Sequence, residues 1–309
     1  MPQEVQEWLP RDGILSYEEI LRIAKVGASL GIKKVRVTGG EPLTRRDIVP
    51  FLENLCNIEG IEEVGISTNG TLLKSKDSDN NERNMAESIK AAGVNTVNVS
   101  LDTLDHAAYL AQTGRDYLHK ALEGIDAARD AGFDKVKINS VLIKGTSEKQ
   151  LIPLIDYARE RDLLLRFIEL MPVTTEEMLH EDNFFSSGAA KKLVEKHYET
   201  TLKARPEFKT NGPASYFEIP GSDQLVGFIG AMTNLHFCES CNKLRLTSDG
   251  KLRPCLGSYL EFDMMSVLRD GASDEELAQF FKDVVDRKPL EHDFRNNYTP
   301  NRKMVAIGG

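Results

Sequence analysis

The sequence predicts an α/β fold with a parallel sheet and crossover helices, and three features carry that reading. Short runs rich in Val, Ile and Leu alternate with helical stretches over the first two thirds of the chain. Gly31, Gly93 and Gly132 stand just past three of those helical stretches, where a left-handed residue commonly ends a helix. Polar residues recur where the strands stop, at Thr38, Ser67, Ser100 and Glu169.

In chain order the expected strands are 34–38, 63–67, 96–101, 135–142 and 164–170. The expected helices are 17–29, 47–56, 85–92, 118–131 and 148–161. A strand, a helix and a further strand in that rhythm give parallel neighbours. The rhythm alone fits a barrel and a doubly wound sheet equally. Either places its ligand at the C-terminal ends of the strands, so the polar residues there are candidate binding groups. Residues 74–84 are polar and charged and read as an exposed loop. Beyond Met171 the rhythm weakens. Residues 216–220 and 224–229 read as an antiparallel pair around Gly221-Ser222-Asp223, and an acidic helix is expected near 274–286.

Composition narrows the function. The 309 residues are 40% hydrophobic and 28% charged, with a net charge of −9. An acidic chain without a dense basic run is a poor partner for nucleic acid or a membrane surface, yet it can hold a local basic pocket for a phosphorylated molecule. No apolar run has the length of a membrane span, and residues 1–10 lack the apolar core of a signal peptide. The expected compartment is the cytoplasm.

Three of the four cysteines, Cys238, Cys241 and Cys255, share one segment. The first two have the spacing that lets both sulfurs reach one metal group. Residues 242–250 read as a short strand and a turn, and a hairpin there would return Cys255 to the pair. A zinc site with His236 as fourth ligand and an iron–sulfur cluster with one open iron fit this spacing equally, with free thiols as the third reading. Cys56 stands alone among apolar residues and is expected in the core.

Thr38-Gly39-Gly40-Glu41-Pro42 follows the first strand. Two glycines let backbone approach a ligand, and Glu41 can accept from a cationic amine. The plain alternative is a strand-to-helix turn. Lys137 and Arg166 lie on the fourth and fifth strands, where an inward-facing charge needs a ligand or a partner. Their alternative is to face outward or to pair with Glu169.

Together these residues resemble the radical S-adenosylmethionine (SAM) superfamily, and within it the GTP 3′,8-cyclase (MoaA) family of molybdenum-cofactor biosynthesis. The match rests on Arg36-Val37-Thr38-Gly39-Gly40-Glu41-Pro42-Leu43 with Arg45-Arg46-Asp47, and on Arg166-Phe167-Ile168-Glu169-Leu170-Met171-Pro172. It rests further on Phe237-Cys238-Glu239-Ser240-Cys241-Asn242-Lys243-Leu244-Arg245-Leu246-Thr247, continuing to Cys255-Leu256, and on Gly308-Gly309.

The resemblance implies an incomplete (β/α)6-type barrel lacking its first strand and cluster loop. Residues 1–215 would form the SAM- and GTP-binding part. Residues 216–309 would carry the cysteines and the diglycine tail. It implies a C-terminal [4Fe–4S] cluster on Cys238, Cys241 and Cys255, with its open iron facing the nucleotide. It carries SAM contacts to Gly40, Glu41, Ser100 and Met171. GTP contacts carry over to Arg36, Ser67, Lys137, Lys243, Leu244 and Arg245, with Lys34 and Arg166 as further candidates. Lys243 and Ser215 stand where the family has arginine, which puts bidentate phosphate contact at those positions in doubt.

The family also has a Cys-x3-Cys-x2-Cys loop ahead of the Met-Pro that opens this sequence. A second [4Fe–4S] cluster, the one that cleaves SAM, belongs to that loop. The expectation is therefore a truncated chain that holds at most one cluster. The activity implied is that of a lyase converting GTP to (8S)-3′,8-cyclo-7,8-dihydroguanosine 5′-triphosphate. An electron donor, a downstream cyclic pyranopterin monophosphate synthase and a homodimer are the partners implied. The alternative is a non-catalytic nucleotide-binding protein carrying iron–sulfur or zinc.

Overall fold

The computed structural model describes residues 9–77, 82–173, 181–210, 212–239, 241–296, 298–302 and 304–307. The expected diglycine end, Gly308-Gly309, lies outside the described residues. Strands β1 (Lys34–Val37), β2 (Glu63–Thr68), β3 (Thr96–Ser100), β4 (Lys135–Leu142) and β5 (Leu164–Glu169) pair in parallel, in sequence order. Their crossovers are α2 (Ile48–Cys56), α3 (Met85–Ala91), α4 (His106–Thr113) with α5 (Leu118–Asp130), and α6 (Ser147–Glu160). Helix α1 (Tyr17–Ser29) precedes β1.

The rhythm does not stop at Met171. Helix α7 (Ser187–His197), capped by the Ser186 side chain, leads through β6 (Lys203–Ala204) and β7 (Ser215–Glu218) to β8 (Leu225–Ile229). Strand β8 pairs parallel with β5 and antiparallel with β7. The expected hairpin around Gly221 therefore also supplies a sixth parallel strand. Residue 216, where the second of the two expected parts of the chain begins, falls inside β7. The sheet order is β1-β2-β3-β4-β5-β8-β7-β6, and among the described strands β1 has β2 as its one neighbour.

Local chemistry explains the helix ends. Ser16 and Glu19 form a reciprocal capping box at the start of α1, and Asn84 and Glu87 do the same for α3. Gly93 ends the α3 region at a φ of 101°, a conformation a side chain resists.

The sheet has two unlike faces. One carries Val64, Ile66, Val97, Val99, Ile138, Leu165 and Phe167, all buried against the crossover helices. The other carries Arg36, Ser67, Thr96, Asn98, Lys137, Asn139 and Arg166. Period-2 alternation sorts them, because successive side chains of a strand point to opposite faces.

A three-stranded antiparallel sheet, β9 (Arg245–Leu246), β10 (Lys251–Arg253) and β11 (Phe262–Asp263), holds the cysteine segment. The hairpin expected between Cys241 and Cys255 is β9 and β10. Helices α8 (Met264–Arg269) and α9 (Asp274–Asp286) follow. Leu277, Phe281 and Val284 of α9 join Ile23 and Val26 of α1 in one apolar cluster. Arg269 donates to Glu19 at 2.7 Å and Arg22 to Asp274 at 2.8 Å. These pairs dock the C-terminal helices on α1.

Candidate active site

The polar face of the sheet is laid out in rows by the strand register. Arg36, Gly65 and Thr96 are neighbours in one row. Ser67, Asn98 and Lys137 form the next, and Ser100, Asn139, Arg166 and Gly227 the one after. The rows climb toward the C-terminal ends of the strands, where Gly40, Ser100 and Met171 lie. Lys34 sits at the opposite, N-terminal end of β1, exposed and 3.5 Å from Glu63.

Two glycines make room for the two arginines. A Cβ at Gly65 would stand 2.7 Å from the Arg36 guanidinium and 2.6 Å from Thr96 Oγ1. A Cβ at Gly227 would stand 2.9 Å from Arg166 Cγ and from the Tyr216 ring. Each arginine thus lies across a bare backbone on the neighbouring strand. Arg36 donates to Ile66 O at 3.3 Å and to Thr96 Oγ1 at 3.1 Å. Arg166 donates through Nε to Asn139 Oδ1 at 2.8 Å. The expected alternative of a pair with Glu169 does not occur. Glu169 accepts instead from Ser187 N, Met232 N, Thr233 N and Thr233 Oγ1, tying the end of β5 to α7 and to the loop after β8. Burial works against its charge, but those hydrogen bonds hold its pKa below the ordinary value.

Lys137 is 1% exposed and has no carboxylate in salt-bridge range among the described residues. Burial first, then the charges of Arg166 and Arg36, push its pKa down to about 7. Arg36 is lowered to about 10, by burial and then by Arg166. Three cations crowd onto one face with too little negative charge among them, an arrangement that suits an anionic ligand. Asn98, 5% exposed in the middle row, leaves its Oδ1 buried without a hydrogen-bond partner. An unsatisfied buried polar atom in such a face is a second sign of a ligand.

The cysteine hairpin carries Lys243, whose pKa burial lowers, with Arg245, Arg166 and Arg36 lowering it further against the opposing charge of Cys241. Arg245 is lowered by burial and supported by the charges of Cys241 and Cys255. Cys255 is raised by burial, opposed by the Gly257 backbone and Lys288, and raised again by Cys241 and Cys238. Leu244 packs into the cluster shared by α1 and α9. Ser215 is the exposed first residue of β7.

Among the described residues no three His, Cys, Asp or Glu side chains converge on a single-ion site. His236, considered as a fourth zinc ligand, is 76% exposed and pairs with Glu239 at 2.6 Å. Among the described residues His236 therefore gives the three hairpin cysteines no fourth ligand, and a set of three thiols suits an iron–sulfur group with one open iron.

The glycine loop is braced by Glu41. Its Oε1 accepts from Leu43 N at 3.1 Å and Thr68 Oγ1 at 2.8 Å, and its Oε2 from Asn69 N at 2.8 Å. The carboxylate joins the loops after β1 and β2, leaving Gly40 exposed beside them. Ser100 is exposed, and Met171 packs with Val173, Phe294 and Tyr298. Cys56 is half-buried on α2, its thiol pushed up to about 11 by burial, as expected of a core residue.

Sequence reading passed over Asn98 and Asn139 as site residues, although alternation in Thr96-Val97-Asn98-Val99-Ser100 places Asn98 on the polar face. It also missed Lys288, which nothing near the cysteines in sequence announces. No helix among the described residues is long and apolar enough to cross a membrane.

Comparison with known proteins places the chain among families. Residues 4–158 match the family model for the radical SAM superfamily, and residues 163–294 match that for Molybdenum Cofactor Synthesis C. The chain is 41% identical to the GTP 3′,8-cyclase of Thermodesulfovibrio yellowstonii, over 100% of this chain and 92% of that one. It is 41% identical to that of Moorella thermoacetica, over 96% and 88% respectively. Among solved structures, Streptococcus suis SuiB superposes with a TM-score of 0.58 at 19% identity, over 89% of this chain and 60% of that one, a likeness of fold.

Proposed function

The chain belongs to the GTP 3′,8-cyclase family of the radical SAM superfamily, and from that premise we propose that the polar face of its sheet binds GTP beneath a cluster-bearing hairpin. The observation that carries this reading is the set of Arg36, Lys137 and Arg166 crowded on one buried face, with Lys243 opposite. A triphosphate brings the negative charge this set lacks. Arginine supplies planar donor pairs and lysine a point charge, so the two types hold different oxygens. Ser67 and Asn98 offer neutral polar groups in the middle row, and Lys243, Leu244 and Arg245 close the pocket from the hairpin. Lys34, already beside Glu63 at the far end of β1, is a peripheral contributor.

Gly40, Ser100 and Met171, at the strand ends, are the proposed SAM contacts. Glu41 acts by holding the loop that presents Gly40, because its oxygens already accept three donors. Cys238, Cys241 and Cys255 would hold a [4Fe–4S] cluster beside the nucleotide. In the family's chemistry, SAM with its own reduced cluster supplies a 5′-deoxyadenosyl radical, which starts the conversion of GTP to (8S)-3′,8-cyclo-7,8-dihydroguanosine 5′-triphosphate. What this chain's residues do is narrower. They neutralise and orient the triphosphate, fix the sugar against the strand ends and exclude water from the face. A second cysteine triad is not among the 309 residues, whose four cysteines are the hairpin three and Cys56. These residues are proposed to bind GTP and one cluster. The full activity would use an electron donor and pass its product to a cyclic pyranopterin monophosphate synthase.

Anaerobic reconstitution tests this. The expected content is about four irons and four sulfides per chain, lost in Cys255→Ser. One zinc per chain would overturn the reading.

A further inference from the structure

Lys288 lies just past α9, far in sequence from the cysteines, yet its ammonium is built into their hairpin. Nζ donates to Lys243 O at 2.9 Å and to Pro254 O, and lies 3.8 Å from Cys241 Sγ. Lys243 is two residues past Cys241, and Pro254 immediately precedes Cys255. One side chain therefore ties both arms of the ligand set, and its three donors are all used. An exposed lysine on an acidic protein would ordinarily seek a carboxylate. Lys288 makes no carboxylate pair among the described residues. It spends its bonds on two carbonyls and a sulfur. Its position is fixed from behind, because α9 is anchored on α1 through Leu277, Phe281 and Val284.

We infer that Lys288 is a positioning residue for the three-cysteine cluster site, locking its two arms together and setting a positive charge against a ligand sulfur. The inference rests on the cluster reading above. Outer partners of metal ligands fix ligand geometry and tune the metal. Reduction adds one negative charge to a cluster, and a nearby ammonium favours that form, so Lys288 raises the potential. Lys288 also braces the backbone of Lys243, which connects the cluster site with the basic face of the sheet.

The test compares wild type, Lys288→Met and Lys288→Arg after anaerobic reconstitution, by cluster loss to a chelator and by midpoint potential followed by electron paramagnetic resonance. Lys288→Met should lose its cluster about tenfold faster, the low end of what outer-shell changes cost, and reduce at a more negative potential. Lys288→Arg should keep most of the potential while losing some stability of the cluster. Equal loss rates and equal potentials in wild type and Lys288→Met would overturn the inference. Should Lys288→Met not fold, amine labelling of the wild type decides. Lys288 protected in the loaded protein supports the inference, and Lys288 as reactive as exposed Lys282 refutes it. A wild type that takes up no iron, or one zinc, refutes the cluster reading itself, whereas a loaded wild type with an indifferent Lys288 refutes only this inference.

Discussion

At the scale of single residues, Lys137 and Asn98 report function against stability. Burial and two arginines hold the Lys137 pKa down to about 7, so without ligand the ammonium loses its proton as pH rises through that value. A bound triphosphate raises that pKa and takes up a proton. GTP affinity should then fall as pH rises from about 7 to about 9, above the terminal phosphate ionisation near pH 6. Calorimetric titrations should show the slope in wild type and a flat, weaker profile in Lys137→Met. The sign for folding is opposite. An unfolded lysine keeps its proton to about pH 10.4, so the empty chain gains stability as pH climbs from about 7 toward that value. Asn98 gives a second expectation. Its buried Oδ1 has no partner, so Asn98→Ala should leave the thermal midpoint unchanged or higher while weakening GTP binding roughly 3- to 10-fold. A lowered midpoint with unchanged affinity would make Asn98 a structural residue.

At the scale of elements, the arginines depend on the strands beside them. Gly65→Ala would set a methyl against Arg36 and Thr96 on the neighbouring strands, and Gly227→Ala one against Arg166 and Tyr216. Each should cost about 1–3 kcal/mol in denaturant melts and reduce nucleotide binding with the arginine it displaces. Ser273 closes a capping box with Glu276 at the start of α9. Ser273→Ala should cost about 1 kcal/mol in the same melts. Most elements were legible because their patterns are local. Strands β1 to β5 and helices α2, α3, α5 and α6 between them follow from hydrophobic period and glycine ends, within a residue or two, whereas the short helix α4 was not expected. Helix α7 was not legible. Its apolar face is short, and the β6–β7 excursion separates it from β8, so the parallel pairing of β5 with β8 had no sequence signal. Of the candidate site, alternation made legible that Arg36, Ser67, Lys137 and Arg166 share one face of the sheet. The role of Glu41 was not legible, because its donors Thr68 and Asn69 reach it only after β1 and β2 pair.

At the scale of the molecule, the proposed site draws on both halves of the chain. The sheet supplies a buried cationic face that needs an anion, and the hairpin supplies thiols and a closing pair of basic residues. Lys243 and Arg245 follow Cys241 closely in the hairpin, so a triphosphate held by them would lie beside the cluster. The acidic whole and the basic face are compatible because the face is buried, where screening by salt is weak. The most direct test follows the reduced cluster of the reconstituted chain by electron paramagnetic resonance while GTP is added. The account predicts a saturable change in the spectrum that Lys137→Met shifts to higher GTP concentration. A spectrum indifferent to GTP, with the nucleotide shown separately to be bound, would contradict it.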